Sequence, residues 1–286
     1  MRVDSCIILA AGMGSRMGKI GRDLPKPLWP LGRKKTFLSI QYEQIRKLGI
    51  NHIYINTHHR EDLVSEYVKK EKMDIEILPE AKLLNVGGTI QSLANKVKSG
   101  TCLLINCDQI FTGFEQILKG LKSSIKRDDL ASLASIKLHH DEKYNRLRIQ
   151  GEELKGILKY GEHKKFDNKT YSGLGIVNFS LVDEKSPFEN PNFFDFLFSQ
   201  GKKTIKTVEI DRDSYIDVGT KEKYIDFLFK RKGIDSLNLN TNYQDGFYNF
   251  SDSVWSNAPD GTVVIQGEQR PLSQRCLVFR DIIDLY

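Results

Sequence analysis

Short β-branched segments alternate with amphipathic segments through the first hundred residues, and this alternation limits the possible folds more than any other feature of the sequence. The strand segments are 4–10, 52–56, 74–78 and 101–106, and the helical segments between them are 37–48, 60–70 and 88–98. A strand followed by a helix and a second strand forms a right-handed parallel unit. We therefore predict a doubly wound, mostly parallel α/β sheet that binds ligands at the carboxyl ends of its strands.

The second half of the chain continues the pattern and then changes in composition. Predicted elements there are helices at 114–126 and 221–232, strands at 131–138, 171–179 and 204–210, and a hairpin whose strands are 146–149 and 154–158. After Gly233 the chain becomes rich in Asn, Asp and Ser, with short apolar segments near its end. We predict one domain at 1–232 and a small β-rich appendage at 233–286, with one or two coils of a solenoid. Trp255 would pack on the larger domain or against another subunit of a homo-oligomer.

Composition excludes several classes of protein. The 286 residues are 40% hydrophobic and 28% charged, which is typical of an ordinary globular chain. No apolar run approaches the roughly 18 residues of a membrane span, and the first apolar stretch is short for a signal peptide, so we predict a cytoplasmic protein without a membrane partner. The 43 basic residues outnumber the 37 acidic residues, but they form no long basic block. This distribution favours small anionic ligands over nucleic acid.

The segment after the first predicted strand has the composition of a phosphate-binding turn. Small residues let the backbone pass close to a ligand and expose its N–H groups. A dinucleotide fingerprint would need Gly where Met17 stands, and a P-loop would need Ser or Thr after Lys19, so neither motif fits. The candidate nucleotide-binding residues of this turn are Leu9, Ala10, Ala11, Gly12, Gly14 and Ser15.

Two cations complete a longer pattern. Leu9-Ala10-Ala11-Gly12-x-Gly14-x-Arg16 is followed ten residues later by Pro25-Lys26-Pro27, and together these segments resemble the family of nucleotidyltransferases that join an NTP to a sugar 1-phosphate. Among the enzymes that these segments resemble are N-acetylmuramate 1-phosphate uridylyltransferases and mannose or heptose 1-phosphate guanylyltransferases. The resemblance implies the α/β fold, an NTP and a sugar 1-phosphate as substrates, and Arg16 and Lys26 as catalytic residues. Cations suit the reaction because two phosphorylated substrates repel each other.

A second glycine pair resembles the nucleobase loop of the same family. The segment is Asn85-Val86-Gly87-Gly88, and the resemblance implies that Asn85, Gly87 and Gly88 bind the nucleotide. Asn85 stands where the family has Gly or Glu, and Val86 where it has Thr. The identity of the nucleobase is therefore left open, with UTP or GTP as the expected nucleotidyl donors.

Two aspartates match the metal-binding positions of the family. Asp108 follows an apolar strand in Asn106-Cys107-Asp108, and Asp217 lies in Ile216-Asp217-Val218-Gly219-Thr220. The resemblance implies that both carboxylates hold Mg²⁺, a hard cation that prefers oxygen ligands.

The resemblance also implies a sugar pocket. Its candidate residues are Asn106, Tyr171, Ser172 and Gly173. Lys159 lies near the place of a sugar-phosphate lysine in some members but lacks the flanking Glu and Pro. His58 and His59 are adjacent histidines without the Cys or acidic partners of a metal site.

Three other functions stay open from the sequence. A metal-dependent glycosyltransferase would use Asp211-Arg212-Asp213, although these residues fit a turn better. A phosphocholine-type cytidylyltransferase would share the first two motifs. A regulatory subunit would bind nucleotide or nucleotide sugar without turnover, and would have no need of the complete set of metal and phosphate groups.

Overall fold

The computed structural model describes residues 1–32, 35–139, 142–161, 168–184, 189–230, 243–244, 247–250, 262–266, 272, 274–280 and 282–285. The helices in these ranges are α1 (Phe37–Lys47), α2 (Glu61–Lys70), α3 (Asn85–Val97), α4 (Phe114–Ser124), α5 (Phe193–Ser199) and α6 (Lys221–Lys230). The strands are β1 (Ser5–Leu9), β2 (Pro30–Gly32), β3 (Lys35–Thr36), β4 (His52–Thr57), β5 (Glu76–Pro79), β6 (Thr101–Asn106), β7 (Gln109–Phe111), β8 (Asp129–Lys137), β9 (Arg146–Gln150), β10 (Glu153–Leu158), β11 (Lys169–Asn178), β12 (Thr204–Glu209), β13 (Tyr215–Asp217), β14 (Tyr243–Gln244), β15 (Phe247–Asn249), β16 (Val263–Gln266), β17 (Cys276–Phe279) and β18 (Ile282–Leu285).

Nine strands form the central sheet in the order β5-β4-β1-β6-β11-β8-β12-β10-β9. β1 lies between β4 and β6 and pairs parallel with both, with Leu9 opposite Asn56 on one side and Asn106 on the other. β11 enters antiparallel between β6 and β8, so the sheet is parallel around β1 and mixed beyond it. The predicted α/β architecture is confirmed, and the carboxyl ends of β1, β4 and β6 meet at one edge.

The central sheet is covered on both faces. All five residues of β1 are buried, and alternate side chains enter different hydrophobic clusters. Cys6 and Ile8 belong to the cluster with α1, α2 and α4, whereas Ile7 and Leu9 belong to the cluster with α3 and α5. Two-sided burial explains why this strand is a continuous apolar run.

Most predicted elements of the larger domain are confirmed within one or two residues, including the antiparallel hairpin of β9 and β10. Two differences bear on function. Helix α3 begins at Asn85, three residues before the predicted start at Gly88. Helix α5 was not predicted, because its phenylalanine-rich segment, 193–199, lacks a clear helical period.

A two-stranded sheet holds the later part of the chain against the end of β6. β13 pairs antiparallel with β7, with Asp217 opposite Gln109. The backbone N–H of Val218 donates to the carbonyl oxygen of Asp108 at 3.1 Å. This pairing brings Asp217 beside Asp108, although 108 residues separate the two in the sequence.

The C-terminal strands form a separate five-stranded sheet in the order β14-β15-β16-β17-β18. β15, β16 and β17 pair parallel, and β18 returns antiparallel to β17. A small β appendage is therefore confirmed. The boundary predicted at 233 and the contacts expected of Trp255 lie outside the described residues.

Two further findings concern burial and membranes. Cys6, Cys102, Cys107 and Cys276 are buried free thiols. Among the described residues, no helix is both long enough and apolar enough to span a membrane.

Candidate active site

A cavity of about 360 Å³ opens at the carboxyl ends of β1, β4 and β6. It contains residues from widely separated parts of the sequence, most of them polar or small. The lining residues are Leu9, Ala10, Ala11, Gly12, Arg16, Lys26, Asn56, Glu80, Leu83, Asn85, Val86, Asn106, Cys107, Asp108, Gln109, Tyr144 and Asp217. Its position is the one at which open parallel sheets bind ligands.

One wall is formed by residues 10–19, which we call the first glycine segment. Gly14 has a φ of +67°, and a Cβ atom built there would lie 2.7 Å from the carbonyl oxygen of Gly21. Only glycine fits this turn, which closes with a hydrogen bond from the N–H of Met17 to the carbonyl of Gly14 at 2.8 Å. Gly12 differs, since a Cβ atom there would have no neighbour within 4 Å. The segment therefore lets a ligand approach the backbone at Gly12.

Two cations face one carboxylate inside the cavity. The Nζ atom of Lys26 lies 2.7 Å from Asp108 Oδ2 and donates to the carbonyl of Gly219 at 3.0 Å. The guanidinium of Arg16 lies 3.9 Å from the same Asp108 oxygen. The Arg16 side chain is 66% exposed, whereas that of Lys26 is only 10% exposed. Lys26 is therefore a fixed charge at the base of the cavity, and Arg16 is available to a ligand at its mouth.

Asp108 and Asp217 converge on Gly219. A Cβ atom built on Gly219 would lie 2.8 Å from Asp108 Oδ2 and 3.0 Å from Asp217 Oδ1. The N–H of Gly219 donates to Asp217 Oδ1 at 2.8 Å. The described residues contain no group of three or more His, Cys, Asp or Glu side chains arranged for a metal. Two carboxylates nevertheless fit Mg²⁺, which usually takes its other ligands from phosphate oxygens and water.

Asp217 is held as a carboxylate by two side chains that the sequence analysis did not identify. Its Oδ2 atom accepts hydrogen bonds from the Lys223 ammonium and the Tyr144 hydroxyl. Burial opposes ionisation of Asp217, but these two bonds, the positive charge of Lys223 and the N–H of Gly219 together hold the pKa of the carboxyl below its ordinary value. Neither Tyr144 nor Lys223 lies in a motif, so only the folded chain shows their role.

The opposite wall is formed by residues 80–88, which we call the second glycine segment, and it is supported by the buried carboxylate of Glu80. Glu80 Oε1 accepts from Asn56 Nδ2 at 2.8 Å and from the Thr89 hydroxyl, and Oε2 accepts from the N–H of Leu84 at 2.9 Å. Asn56 Oδ1 in turn accepts from the N–H of Ala10 at 2.6 Å. This network joins the two walls of the cavity. Sequence reasoning missed Glu80, because a lone acidic residue after a short strand carries no periodic signal.

The glycines of the second glycine segment lie against the protein. A Cβ atom on Gly87 would lie 2.5 Å from Phe196 Cβ, and the N–H of Gly87 donates to the carbonyl of Pro191 at 3.1 Å. A Cβ atom on Gly88 would lie 3.1 Å from Leu84 Cβ. Asn85 and Val86 line the cavity, whereas Gly87 and Gly88 do not belong to its lining. Gly87 therefore permits α3 to pack closely on α5.

The predicted sugar-binding residues divide into two groups. Asn106 lines the cavity. Gly173, with a φ of +83°, lies so close to Asn106 and Gln109 that a Cβ atom on it would be 2.6 Å from Asn106 Nδ2 and 1.6 Å from Gln109 Oε1. Ser172 is fully buried, and its hydroxyl has no hydrogen-bond partner in the described part of the chain. The Tyr171 ring stacks on Phe193 with centroids 5.0 Å apart. Gly14, Ser15, Tyr171, Ser172 and Gly173 are absent from the cavity lining.

The residues considered for other roles lie elsewhere. His58 Nδ1 contacts the carbonyl of Glu80 at 2.7 Å, and His59 Nε2 contacts the carbonyl of Arg22 at 2.5 Å. Asp211 Oδ1 accepts from the N–H of Asp213 at 3.0 Å, as expected of a turn. Lys159 follows β10 and is not part of the cavity lining.

Comparison with known proteins finds a matching domain family and several relatives. Residues 6–140 match the MobA-like NTP transferase domain. The chain is 28% identical over 226 residues to the D-glycero-α-D-manno-heptose 1-phosphate guanylyltransferase of Campylobacter jejuni, an alignment that covers 78% of this chain and 97% of the relative. It is 26% identical to the catalytic subunit beta of mannose-1-phosphate guanylyltransferase from Dictyostelium discoideum, over 63% of this chain and 51% of the relative.

Solved structures share the fold. HddC from Yersinia pseudotuberculosis matches with a TM-score of 0.66 and 20% identity, over 80% of this chain and all of the other. HddC has also been solved in complex with GMP-PN. The matched domain and the named relatives indicate an enzyme of the nucleotidyltransferase class. More particularly, residues 6–140 match the MobA-like NTP transferase domain, and the relatives that the chain resembles are named as sugar 1-phosphate guanylyltransferases.

Proposed function

We propose that the protein transfers a guanylyl group from GTP to a sugar 1-phosphate of the mannose or manno-heptose type, giving a GDP-sugar and pyrophosphate. The observation that carries the proposal is the pairing of Lys26 with Asp108 at 2.7 Å, beside Arg16 and Asp217 in one cavity. The choice of GTP over UTP is supported by relatives named as guanylyltransferases.

The reaction needs positioning and charge neutralisation more than proton transfer. An oxygen of the sugar 1-phosphate attacks the α-phosphorus of GTP, the bond from that phosphorus to the bridging oxygen of the β-phosphate breaks, and pyrophosphate leaves with the bond electrons. The attacking oxygen is already an anion, so the site has no need of a general base. Alignment of the attacking and leaving oxygens supplies much of the rate.

Each wall of the cavity has a part in this step. The first glycine segment presents backbone N–H groups and Arg16 to the leaving phosphates, and Lys26 neutralises charge at the α-phosphate. In this proposal Asn85 and Val86 contact the base, and Asn106, with Gly173 behind it, contacts the sugar. In this proposal the metal-binding residues are Asp108 and Asp217. Mg²⁺ bound there would supply positive charge to the phosphates of the nucleotide.

Residues Gly87 and Gly88 act in this proposal by shaping the second glycine segment.

The proposed catalytic domain comprises 1–232, and the appendage comprises 233–286. The partners are small molecules, the NTP and the sugar 1-phosphate.

The test is pyrophosphate release with Mg²⁺ from each NTP and dTTP against 1-phosphates of mannose, manno-heptose, glucose, N-acetylglucosamine and N-acetylmuramate. We expect turnover with GTP and one of the first two sugars, and loss of turnover when the divalent cation is chelated. Uridylyl transfer to N-acetylmuramate 1-phosphate would overturn the choice of base and sugar while keeping the reaction.

Three other outcomes would change the class of substrate or the reaction. Turnover with CTP and an alcohol phosphate such as phosphocholine or inositol 1-phosphate would replace the sugar phosphate. Release of GDP or UDP from a nucleotide sugar would indicate a glycosyltransferase. Nucleotide binding without turnover in any combination would indicate a regulatory binder.

A further inference from the structure

The C-terminal sheet reaches the cavity wall through one buried carboxylate. Asp284, in β18, accepts a hydrogen bond from the backbone N–H of Lys19 at 2.9 Å through Oδ2. Its Oδ1 atom pairs with Lys221 Nζ at 3.1 Å, and the Asp284 side chain is only 8% exposed. A carboxylate with this little exposure needs such partners, because an unpaired buried charge is costly.

The two groups that meet at Asp284 belong to two segments that adjoin residues of the proposed metal and phosphate site. Lys19 is the last residue of the first glycine segment, which carries Arg16. Lys221 begins α6, four residues after Asp217. Asp284 therefore connects the backbone that bears the phosphate-binding cation to the helix that follows a metal-binding carboxylate.

Gly18 shows how closely this contact is built. Its φ is +73°, and a Cβ atom there would lie 2.1 Å from Asp284 Oδ2 and 3.4 Å from Lys221 Cδ. No side chain fits at position 18 while Asp284 holds this position. The glycine is thus required by the contact with the C-terminal sheet as well as by the turn.

Apolar side chains of the two regions also pack together next to this contact. Met17 and Ile20 are both fully buried, and they belong to one hydrophobic cluster with Val263, Leu277 and Phe279 of the C-terminal sheet. The sheet therefore covers the side of the first glycine segment that faces away from the cavity. Burial on one side restricts the positions that Arg16 and the backbone N–H groups can adopt on the other.

We propose that Asp284 is a positioning residue through which the C-terminal sheet holds the first glycine segment in its NTP-binding conformation. Its effect is on the affinity for the triphosphate. The inference rests on the proposed function, in which the first glycine segment binds the NTP phosphates. No contact between Asp284 and substrate is required.

The experiment compares steady-state kinetics of full-length Asp284→Ala, Asp284→Asn and Lys221→Met with the unchanged protein. Loss of positioning in Asp284→Ala should raise the KM for the NTP about tenfold, with the KM for the sugar phosphate changed less than about twofold. Asp284→Asn keeps an oxygen acceptor for the Lys19 N–H and should give a smaller increase. Lys221→Met removes the ion pair from the other side and should also raise the KM for the NTP.

Asp183→Asn is the matched control. Asp183 pairs with Lys203 at 2.7 Å on the surface, so its replacement also removes one carboxylate from an ion pair. This variant should leave both KM values unchanged. Should Asp284→Ala not fold, Asp284→Asn and Lys221→Met, checked by thermal melting, carry the comparison. A lower melting temperature with an unchanged KM for the NTP in these variants would overturn the proposal.

Arg16→Ala, measured in parallel, distinguishes the two levels of the argument. We expect this variant to raise the KM for the NTP. If it does so and the Asp284 variants do not, the positioning role fails and the proposed function stands. If Arg16→Ala leaves the KM for the NTP unchanged, the proposed phosphate-binding role of the first glycine segment fails.

Discussion

The first and second glycine segments face each other across one cavity, yet Gly12 of the first and Gly87 of the second differ in how closely other atoms surround them. A Cβ atom on Gly12 meets nothing within 4 Å, whereas one on Gly87 meets Phe196 and the carbonyl oxygens of Pro191 and Asn192 between 2.5 and 2.6 Å away. Gly12 leaves the backbone of the first segment open, as the proposed function requires, although Gly14 and Gly18 of that segment pack closely on the protein. The second segment uses Gly87 to bring two helices together. A glycine motif therefore identifies a place of close approach, but not the partner that approaches.

The two walls also differ in charge. Arg16 and Lys26 belong to the wall of the first glycine segment and its following turn, and both face Asp108. The opposite wall is supported by Glu80, a buried acid whose oxygens are engaged by Asn56, Thr89 and Leu84. The cationic wall suits phosphates, whereas the acidic wall is an internal support. This contrast predicts loss of catalysis from changes on one side and loss of stability on the other.

Lys26→Met should have the largest effect, because it removes the buried cation and keeps most of the side-chain volume. We expect kcat to fall about 100-fold or more, the range seen when a preorganised group that stabilises transition-state charge is removed. The measurement is pyrophosphate release at saturating substrates. Lys203→Met, which removes a surface lysine paired with Asp183, is the control and should keep full activity. Near-normal turnover in Lys26→Met would remove this residue from the catalytic set.

Glu80→Ala should act mainly on stability. It leaves the N–H of Leu84, the amide of Asn56 and the hydroxyl of Thr89 without their acceptor, so the free energy of unfolding should fall by about 3 kcal/mol. Urea denaturation measures this change. Glu76→Ala, which removes an exposed carboxylate paired with Lys96, should cost less than about 1 kcal/mol. Equal losses in the two variants would show that the buried network contributes little.

Exchanging glycine for alanine in both segments tests the comparison directly. Gly87→Ala overpacks the contact with α5 and should lower the free energy of unfolding by about 2 kcal/mol. Gly12→Ala places a methyl group in open space beside the cavity, so the KM for the NTP should rise about tenfold with the stability nearly unchanged. Gly120→Ala in α4, where a Cβ atom would lie 3.5 Å from Val208 Cγ1, is the control for both measurements.

The reverse pattern would contradict this division of roles. If Gly12→Ala unfolds the protein at lower urea concentration and Gly87→Ala changes only the KM for the NTP, the second segment is the one that approaches the ligand. Thermal melting in the presence and absence of NTP separates the two cases, because ligand binding stabilises only a variant that still binds.

The sequence allowed the central fold to be predicted because its signals are local. β-branched runs of five or six residues and the helices between them predict parallel strands, and parallel strands place their carboxyl ends at one edge. The segments that carry Arg16, Lys26 and Asp108 are compact motifs near that edge. Their resemblance to nucleotidyltransferases led to the site that the structure shows as one cavity.

Other parts of the site depend on contacts between distant segments. Tyr144 and Lys223 reach Asp217 only because β13 pairs with β7, and Glu80 supports the site only because Asn56 lies across from it. Single polar residues of this kind have no periodicity, and their neighbours in sequence say nothing about their partners in space. The early start of α3 follows from the same cause, since its first turn is packed against α5.

By itself, the sequence determined the alternation of strands and helices, the edge of the sheet at which the cavity opens, and the cations and carboxylates suited to phosphate chemistry. Each of these follows from the order of residue types along a short stretch of chain. The tertiary structure decided which glycines face the cavity, which acids are structural, and that Asp284 contacts both Lys19 and Lys221. Those outcomes depend on distances between segments up to 265 residues apart, and packing of the whole chain sets such distances.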